Sequence, residues 1–211
     1  MPGADESEMV FLILVACTEY DLSVSADDDG RDGPDAPFDS GWAPEFEDCE
    51  DGYWADYFNL PREHPEMEID ITGLMPGDVP QAHDWWDEQY FVRRELNDRL
   101  DFGSDWWPVN EGLAGDPQYF AVHWFAWLEM AEAGDVSFDL GSDDDSWAYI
   151  DGALVADLGG IHSVETTSFT VWLQEGVHTL DLYMAERHTT GSGFWFQWST
   201  ENLAFYACPG R

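Results

Sequence analysis

Lysine is absent. The chain of 211 residues carries 7 basic residues, all arginine, against 45 acidic ones, for a formal net charge of -38. Such a surface repels phosphate, which excludes most nucleic-acid binding. It also lacks the polybasic patch that holds a protein to anionic lipid. It favours cationic partners: metal ions, basic proteins, or a salty solvent that screens self-repulsion. A salt-adapted origin is the corresponding expectation. Cysteine is scarce as well, at Cys17, Cys49 and Cys208. No Cys-x-x-Cys or Cys/His spacing suggests a zinc site. No apolar run approaches the roughly 20 residues that span a bilayer. Aromatic residues are plentiful instead, at 16%, with 12 Trp. That excludes a disordered acidic tail, which lacks the apolar mass for a core. The length suits one domain with a leader and a linker.

Residues 9–16 form a short apolar run ending in Leu14-Val15-Ala16-Cys17. This end resembles the lipobox of bacterial lipoproteins, in which the Cys is lipidated and becomes the mature N-terminus. The acids Asp5, Glu6 and Glu8 depart from the basic front expected of a signal peptide; a true start nearer Met9 would account for part of this. The alternative is a buried strand that happens to end in Cys. The expectation is a signal peptide over 1–17 with lipidation at Cys17, hence an exported protein held at the outer membrane or cell surface. Membrane contact is then only through the lipid anchor. Residues 18–47 read as an acidic tether, with Asp27-Asp28-Asp29-Gly30-Arg31-Asp32-Gly33-Pro34-Asp35 at its centre. Such a segment repels itself and stays extended. Arg31 breaks the alternation that a calcium loop of the EF-hand type needs.

The globular domain is expected over 48–211. If Cys17 takes lipid, Cys49 and Cys208 remain as a pair near its two ends. A disulfide between them would close a very long loop, an oxidised state that export permits. Two unrelated buried thiols are the alternative.

From residue 119 the chain alternates. Phe120, Val122, Trp124, Ala126, Leu128 and Met130 share one side at period two. The same holds for Val136, Phe138 and Leu140, for Phe169, Val171 and Leu173, for Leu180, Leu182 and Met184, and for Phe194, Phe196 and Trp198. Period two marks strands with one buried face. Asp151-Gly152 between two such runs is a hairpin signal. The fold class is therefore all-β, an antiparallel β-sandwich. Residues 81–107 are less regular; Trp85, Gln89, Val92 and Leu96 allow a short amphipathic helix or a lid over the sheets. Tyr119, His123, Phe125, Trp127, Trp172 and Trp195 lie opposite the core sets. They are either buried by a further layer, the favoured reading for most of them, or form a sugar-stacking platform.

The segment Gly141-Ser142-Asp143-Asp144-Asp145-Ser146-Trp147-Ala148-Tyr149-Ile150-Asp151-Gly152 concentrates charge. Adjacent carboxylates are costly unless solvated or bridged by a cation. Ca²⁺ takes roughly six to eight oxygens from carboxylates, carbonyls and water. A solvated acidic turn in an acidic protein is the competing account.

This run resembles the signature of the lectin-like domain first named from anthrax protective antigen, and in particular its fibro-slime branch. That branch shows an Asp-Asp-Asp-x-Trp-x-(aromatic)-Ile-Asp-Gly turn, which Asp143 to Gly152 match. Its Asp-Leu-Gly-Gly-(apolar)-His is matched by Asp157 to His162, and its Ala-Glu-Arg-His-Thr-Thr-Gly-Ser by Ala185 to Ser192. His64-Pro65-Glu66-Met67-Glu68 is similar to its His-Pro-Asp-Phe-Glu. The resemblance implies a β-sandwich that binds ligands at one end. In carbohydrate-binding relatives two consecutive Asp, joined by a cis peptide, hold a Ca²⁺ that grips vicinal sugar hydroxyls. By register the pair here is Asp143 and Asp144. An Asn of the pattern is replaced by Gly193, so one side-chain ligand is missing; backbone carbonyls or Glu186 could compensate. Asp145, Trp147, His162, Glu186, Arg187 and His188 are the further candidate ligand-binding residues. Arg187 either binds an acidic group of a ligand or pairs with Asp143 or Asp144, in which case no metal is needed. For His162 and His188, loop-fixing hydrogen bonds are favoured over metal ligation.

The expected function is a cell-surface binding module with calcium-dependent carbohydrate binding, in adhesion or extracellular matrix. Its partner would be an extracellular glycan or matrix component, and no nucleic acid. The alternative is a structural matrix protein with no sugar or metal site. Glycoside hydrolysis by paired acids, with Asp143, Glu186 or Asp157 as candidates, is disfavoured because no nucleophile–base constellation is readable.

Overall fold

The computed structural model describes residues 44, 46–67, 79–109 and 116–209. The expected leader, Cys17 and nearly all of the tether lie outside the described residues. The last part of the tether range does not: Phe46–Asp48 forms a 3-10 turn, and Phe46 stacks on Tyr206 at 4.3 Å.

Two antiparallel sheets build the sandwich. The larger has eight strands: β1 (Glu50–Asp51), β2 (Tyr53–Asn59), β3 (Phe91–Asn97), β5 (Phe120–Met130), β7 (Asp145–Ile150), β8 (Ala153–Leu158), β10 (Gly176–Glu186) and β12 (Leu203–Ala207). The smaller has four, in the order β4-β11-β6-β9. These are β4 (Asp101–Ser104), β6 (Gly134–Asp143), β9 (Glu165–Leu173) and β11 (Gly193–Trp198). The alternation read from the sequence supplies the interior. Phe120, Val122, Trp124 and Leu128 from the large sheet meet Phe138, Leu140, Phe194 and Phe196 from the small one. Trp124 stacks on Phe194 across that interior at 4.3 Å.

The hairpin between β7 and β8 turns at Asp151 (φ 50°) and Gly152 (φ 72°). Two positive φ values in a two-residue loop match strand twist, which is why Asp-Gly suits this place. Cys49 and Cys208 are disulfide-bonded, with 4.2 Å between their Cα atoms, across a sequence separation of 159.

Residues 81–107 differ from the helical option. The described part contains only 3-10 turns, at Pro80–Ala82 and Glu88–Tyr90, followed by strands β3 and β4. The spacing of Trp85, Gln89, Val92 and Leu96 that mimics a helix has another cause. Trp85 and Trp86 pack down onto the outer face of the large sheet, while Val92 and Phe102 pack against the main core. Trp85, Trp147, Tyr119, Leu60 and Ala185 make a second apolar layer there. That layer buries Tyr119; Phe125, under the Arg94 guanidinium, and Trp127 are buried on the same face outside it. Trp172 is not, at 59% exposure. It pairs with Asp135, near the end of β9 away from Ser142 and the carboxylate turn.

Candidate functional site

The carboxylate turn lies where the chain changes sheets. β6 belongs to the small sheet and β7 to the large one, and the Asp143–Asp144 peptide that joins them is cis. Below it, the Ser142 and Ser146 hydroxyls share a 2.7 Å hydrogen bond. β10 brings the second half of the site. Leu180, Leu182 and Met184 face the main core at period two, and Glu186 continues that series. A carboxylate thus enters at a position the alternation assigns to an apolar side chain.

Asp143, Asp144 and Glu186 are all buried, and each offers a carboxylate oxygen within 4.8 Å of the others. Glu186 Oε1 accepts the His188 N–H at 3.0 Å, but Oε2 is buried and meets no donor. Burial, with the neighbouring Asp144 and Asp143 charges, pushes the Glu186 carboxyl up to about 11. Asp144 is pushed up to about 6, by burial first, although the Arg187 and His162 amides oppose the shift. Asp143 is raised too, by burial, against the pull of His162 and His188. Three carboxyls in so small a dry volume cannot all stay charged alone; one holds a proton or the group holds a cation. Oxygen-only donors and an orphaned buried acceptor fit a hard cation such as Ca²⁺.

Arg187 does not pair with Asp143 or Asp144 through its side chain. Ala185 lies opposite Asp145 in the β7–β10 register, which sets Asp145 and Arg187 side by side on the outer face. The guanidinium Nε donates to Asp145 Oδ2 at 2.7 Å and Nη2 to Oδ1 at 3.0 Å. The Gly160 N–H donates to the same Oδ1. The guanidinium also lies 5.0 Å from the centre of the Trp85 ring. Asp145 and Arg187 are therefore a buried ion pair bracing the turn. Trp147 is fully buried as well, packed in one layer with Trp85, Trp86 and Tyr90.

Asp144 ties two loops to the turn. Its oxygens accept the His162 N–H at 2.9 Å and the Arg187 N–H at 3.1 Å. The His162 ring bonds the Leu158 carbonyl at 2.8 Å, and the His188 ring bonds the Thr190 hydroxyl at 2.9 Å. Both rings sit on the partly exposed rim of the site.

Two glycines line the turn, and one of them explains the departure from the expected ligand set. Gly193 pairs with Ser104 of β4 on one side and Asp143 of β6 on the other. A Cβ at Gly193 would run into the Gly103 carbonyl oxygen. No Asn fits there, because β4 occupies its space. Gly191, at φ 88°, closes on Asp143: a Cβ would stand 2.8 Å from Oδ2. Sequence reasoning missed both contacts: the first depends on the pairing of β4 with β11, the second on the return of the Gly191 loop to Asp143.

The PA14 domain description matches residues 50–202. The chain belongs to the PA14 domain family. The PA14 match covers the carboxylate turn and every strand of the two sheets except β12. The Protein psiR of Dictyostelium discoideum is 29% identical over 160 residues, which is 72% of this chain and 15% of that protein. Protein psiE of the same organism is 43% identical over 76 residues, 34% of this chain and 14% of that protein. The chain thus spans less than a sixth of these relatives' length. Among solved structures, the "PA14 sugar-binding domain from RTX adhesin" superposes with a TM-score of 0.54 at 16% identity, covering 71% of this chain and 89% of that one. The Epithelial Adhesin 9 A domain from Candida glabrata, in complex with Galb1-4GlcNAc, gives 0.52 at 13% identity, covering 80% and 95%. The PA14 domain of the MpAFP antifreeze protein gives 0.52 at 15% identity, covering 88% and 89%. At these identities the likeness concerns the fold.

Proposed function

We propose that this PA14 domain is a non-catalytic, calcium-assisted glycan-binding module of the fibro-slime branch. In this reading it is exported and held at a cell surface by lipid on Cys17, serving adhesion or matrix assembly. The observation that carries the reading is the group of Asp143, Asp144 and Glu186, with Glu186 Oε2 buried beside two other carboxylates and reached by no donor. These three residues would hold the ion, with Glu186 standing in for the excluded Asn. A bound Ca²⁺ would supply open coordination positions for vicinal hydroxyls of a sugar. The chain's own part is to fix the turn: the Asp145–Arg187 pair holds it from below, and Asp144 ties the His162 and His188 loops around it. The sugar-bound adhesin among the structural neighbours supports the ligand class. The disulfide supports an oxidising compartment.

One observation favours a second reading, a structural protein with neither metal nor sugar. Asp144 already accepts two backbone amides, and a proton on Glu186 would complete the site without an ion.

A thermal melt of the full chain separates the two. EDTA and millimolar Ca²⁺ are compared at fixed ionic strength, for wild type and Asp143→Ala/Asp144→Ala. A ligand of the folded state raises stability by mass action. A calcium-dependent rise that vanishes in the double variant supports the first reading and justifies a glycan screen. Equal melts with and without calcium sink it.

A further inference from the structure

Among the described residues, one more group of metal-ligating side chains stands together outside the carboxylate turn. Two turns cross over the outer layer, one at residues 61–67 and one at 80–84. Each contributes an imidazole and a carboxylate, and they pair crosswise. His64 Nε2 lies 2.8 Å from Asp84 Oδ1, and His83 Nδ1 lies 3.0 Å from Glu66 Oε2. Ligand atoms of His64, Glu66 and Asp84 all fall within 4.8 Å of one another. The His64 ring is buried under Tyr90, whereas the Glu66 and Asp84 side chains are 35% and 52% exposed. One ligand is thus rigid, and two open to solvent and can close on an ion. The donor set differs from that of the calcium candidate: nitrogen with oxygen rather than oxygen alone.

We propose that His64, Glu66 and Asp84 form a second metal site, suited to a borderline divalent cation such as Zn²⁺, with His83 supporting Glu66. Imidazole combined with carboxylate selects zinc and its neighbours over calcium. The Glu66 N–H reaches His64 Nδ1 at 3.2 Å, so without metal the ring proton sits on Nε2 and goes to Asp84. The ion takes the place of that proton. The ring proton then moves to Nδ1, and the long amide contact is given up. The structural consequence is a cross-link between the two turns. The His83 ring stacks on Trp85 at 3.8 Å, and Arg187 donates to the Glu66 carbonyl at 3.3 Å. The clamp therefore braces the layer that buries the Asp145–Arg187 pair. This inference does not depend on the glycan reading.

The test is a calorimetric titration of the EDTA-stripped, dialysed full chain with Zn²⁺ under saturating Ca²⁺, so that the carboxylate turn is already supplied. Glu66→Gln, Asp84→Asn and His64→Gln are compared with His178→Gln, which alters an unrelated exposed pair with Asp151. The expected result is a single saturable Zn²⁺ site. Each of the three variants weakens it at least tenfold, and His178→Gln leaves it unchanged. Co²⁺ bound in its place should show ligand-field bands that Asp84→Asn removes. Glu66 and Asp84 are exposed enough to be changed without loss of the fold, so these two decide the matter if His64→Gln does not fold. No saturable binding, or equal binding by wild type, Glu66→Gln and Asp84→Asn, overturns the proposal.

Discussion

Glu186→Gln should stabilise the metal-free protein and weaken calcium binding, two effects of opposite sign from one substitution. Folding moves the Glu186 carboxyl from its ordinary value of 4.5 to about 11, through burial beside Asp144 and Asp143. Between those values the folded state keeps a proton that the unfolded state has released. The sign follows directly: wild-type stability falls as pH rises above about 5, by about 1.4 kcal/mol per pH unit from this group. At pH 7 the cost is about 3 kcal/mol. Glutamine has no proton to take up, and its carbonyl can still accept the His188 N–H. Its amide can donate to Asp144, filling the place where Oε2 now has no donor. In EDTA at pH 7 the variant should therefore melt above wild type, by up to roughly 6–12 °C for a domain of this size. The gap should shrink towards pH 5 and widen towards pH 8. In millimolar Ca²⁺ the order should narrow or reverse, because wild type alone offers the third carboxylate. Melts at three pH values, with and without calcium, give all of these comparisons. If Glu186→Gln is destabilised by a similar amount at every pH in EDTA, the reasoning fails: the site would then rely on an ionised Glu186 with no cation.

Arg187→Ala should cost about 3–5 kcal/mol in urea unfolding, because it strands the fully buried Asp145 carboxylate. Pairing it with Asp145→Asn should recover part of that loss. Gly193→Asn should not create a calcium ligand. It should cost at least about 1–3 kcal/mol in a denaturant melt by forcing β4 and β11 apart, with no gain in calcium affinity by titration. Cys49→Ser/Cys208→Ser opens a loop of sequence separation 159 and should lower unfolding free energy by up to about 4–5 kcal/mol in non-reducing urea melts.

Much of the sandwich was legible because a strand with one buried face writes itself at period two. β5, β6, β9, β10 and β11 all carry that pattern, and Asp151-Gly152 marked the hairpin between β7 and β8. Residues 81–107 were illegible for a definite reason. Trp85 and Trp86 bury against the outside of a sheet while Val92 and Phe102 serve its inside, so the spacing obeys two surfaces at once. β2 went unread because it serves two surfaces, Tyr53, Ala55 and Tyr57 in the main core and Phe58 in the outer layer, and β12 because it is short.

The candidate site divides in the same way. Composition and motif alone indicated an acidic chain with a concentrated carboxylate turn, a companion Glu-Arg-His segment and two cysteines able to join. Those are properties of residue type and order, which local chemistry expresses directly. Which carboxylate meets which partner was decided only by the tertiary structure. Asp143, Asp144 and Asp145 are adjacent in sequence, yet the change of sheets at the turn splits them. Asp143 and Asp144 gather with Glu186, while Asp145 turns to the outer face and meets Arg187. Period two gives the side a residue faces but not the strand that stands opposite. That choice belongs to the register of β7 on β10 and of β11 on β4, set by the packing of the whole sandwich.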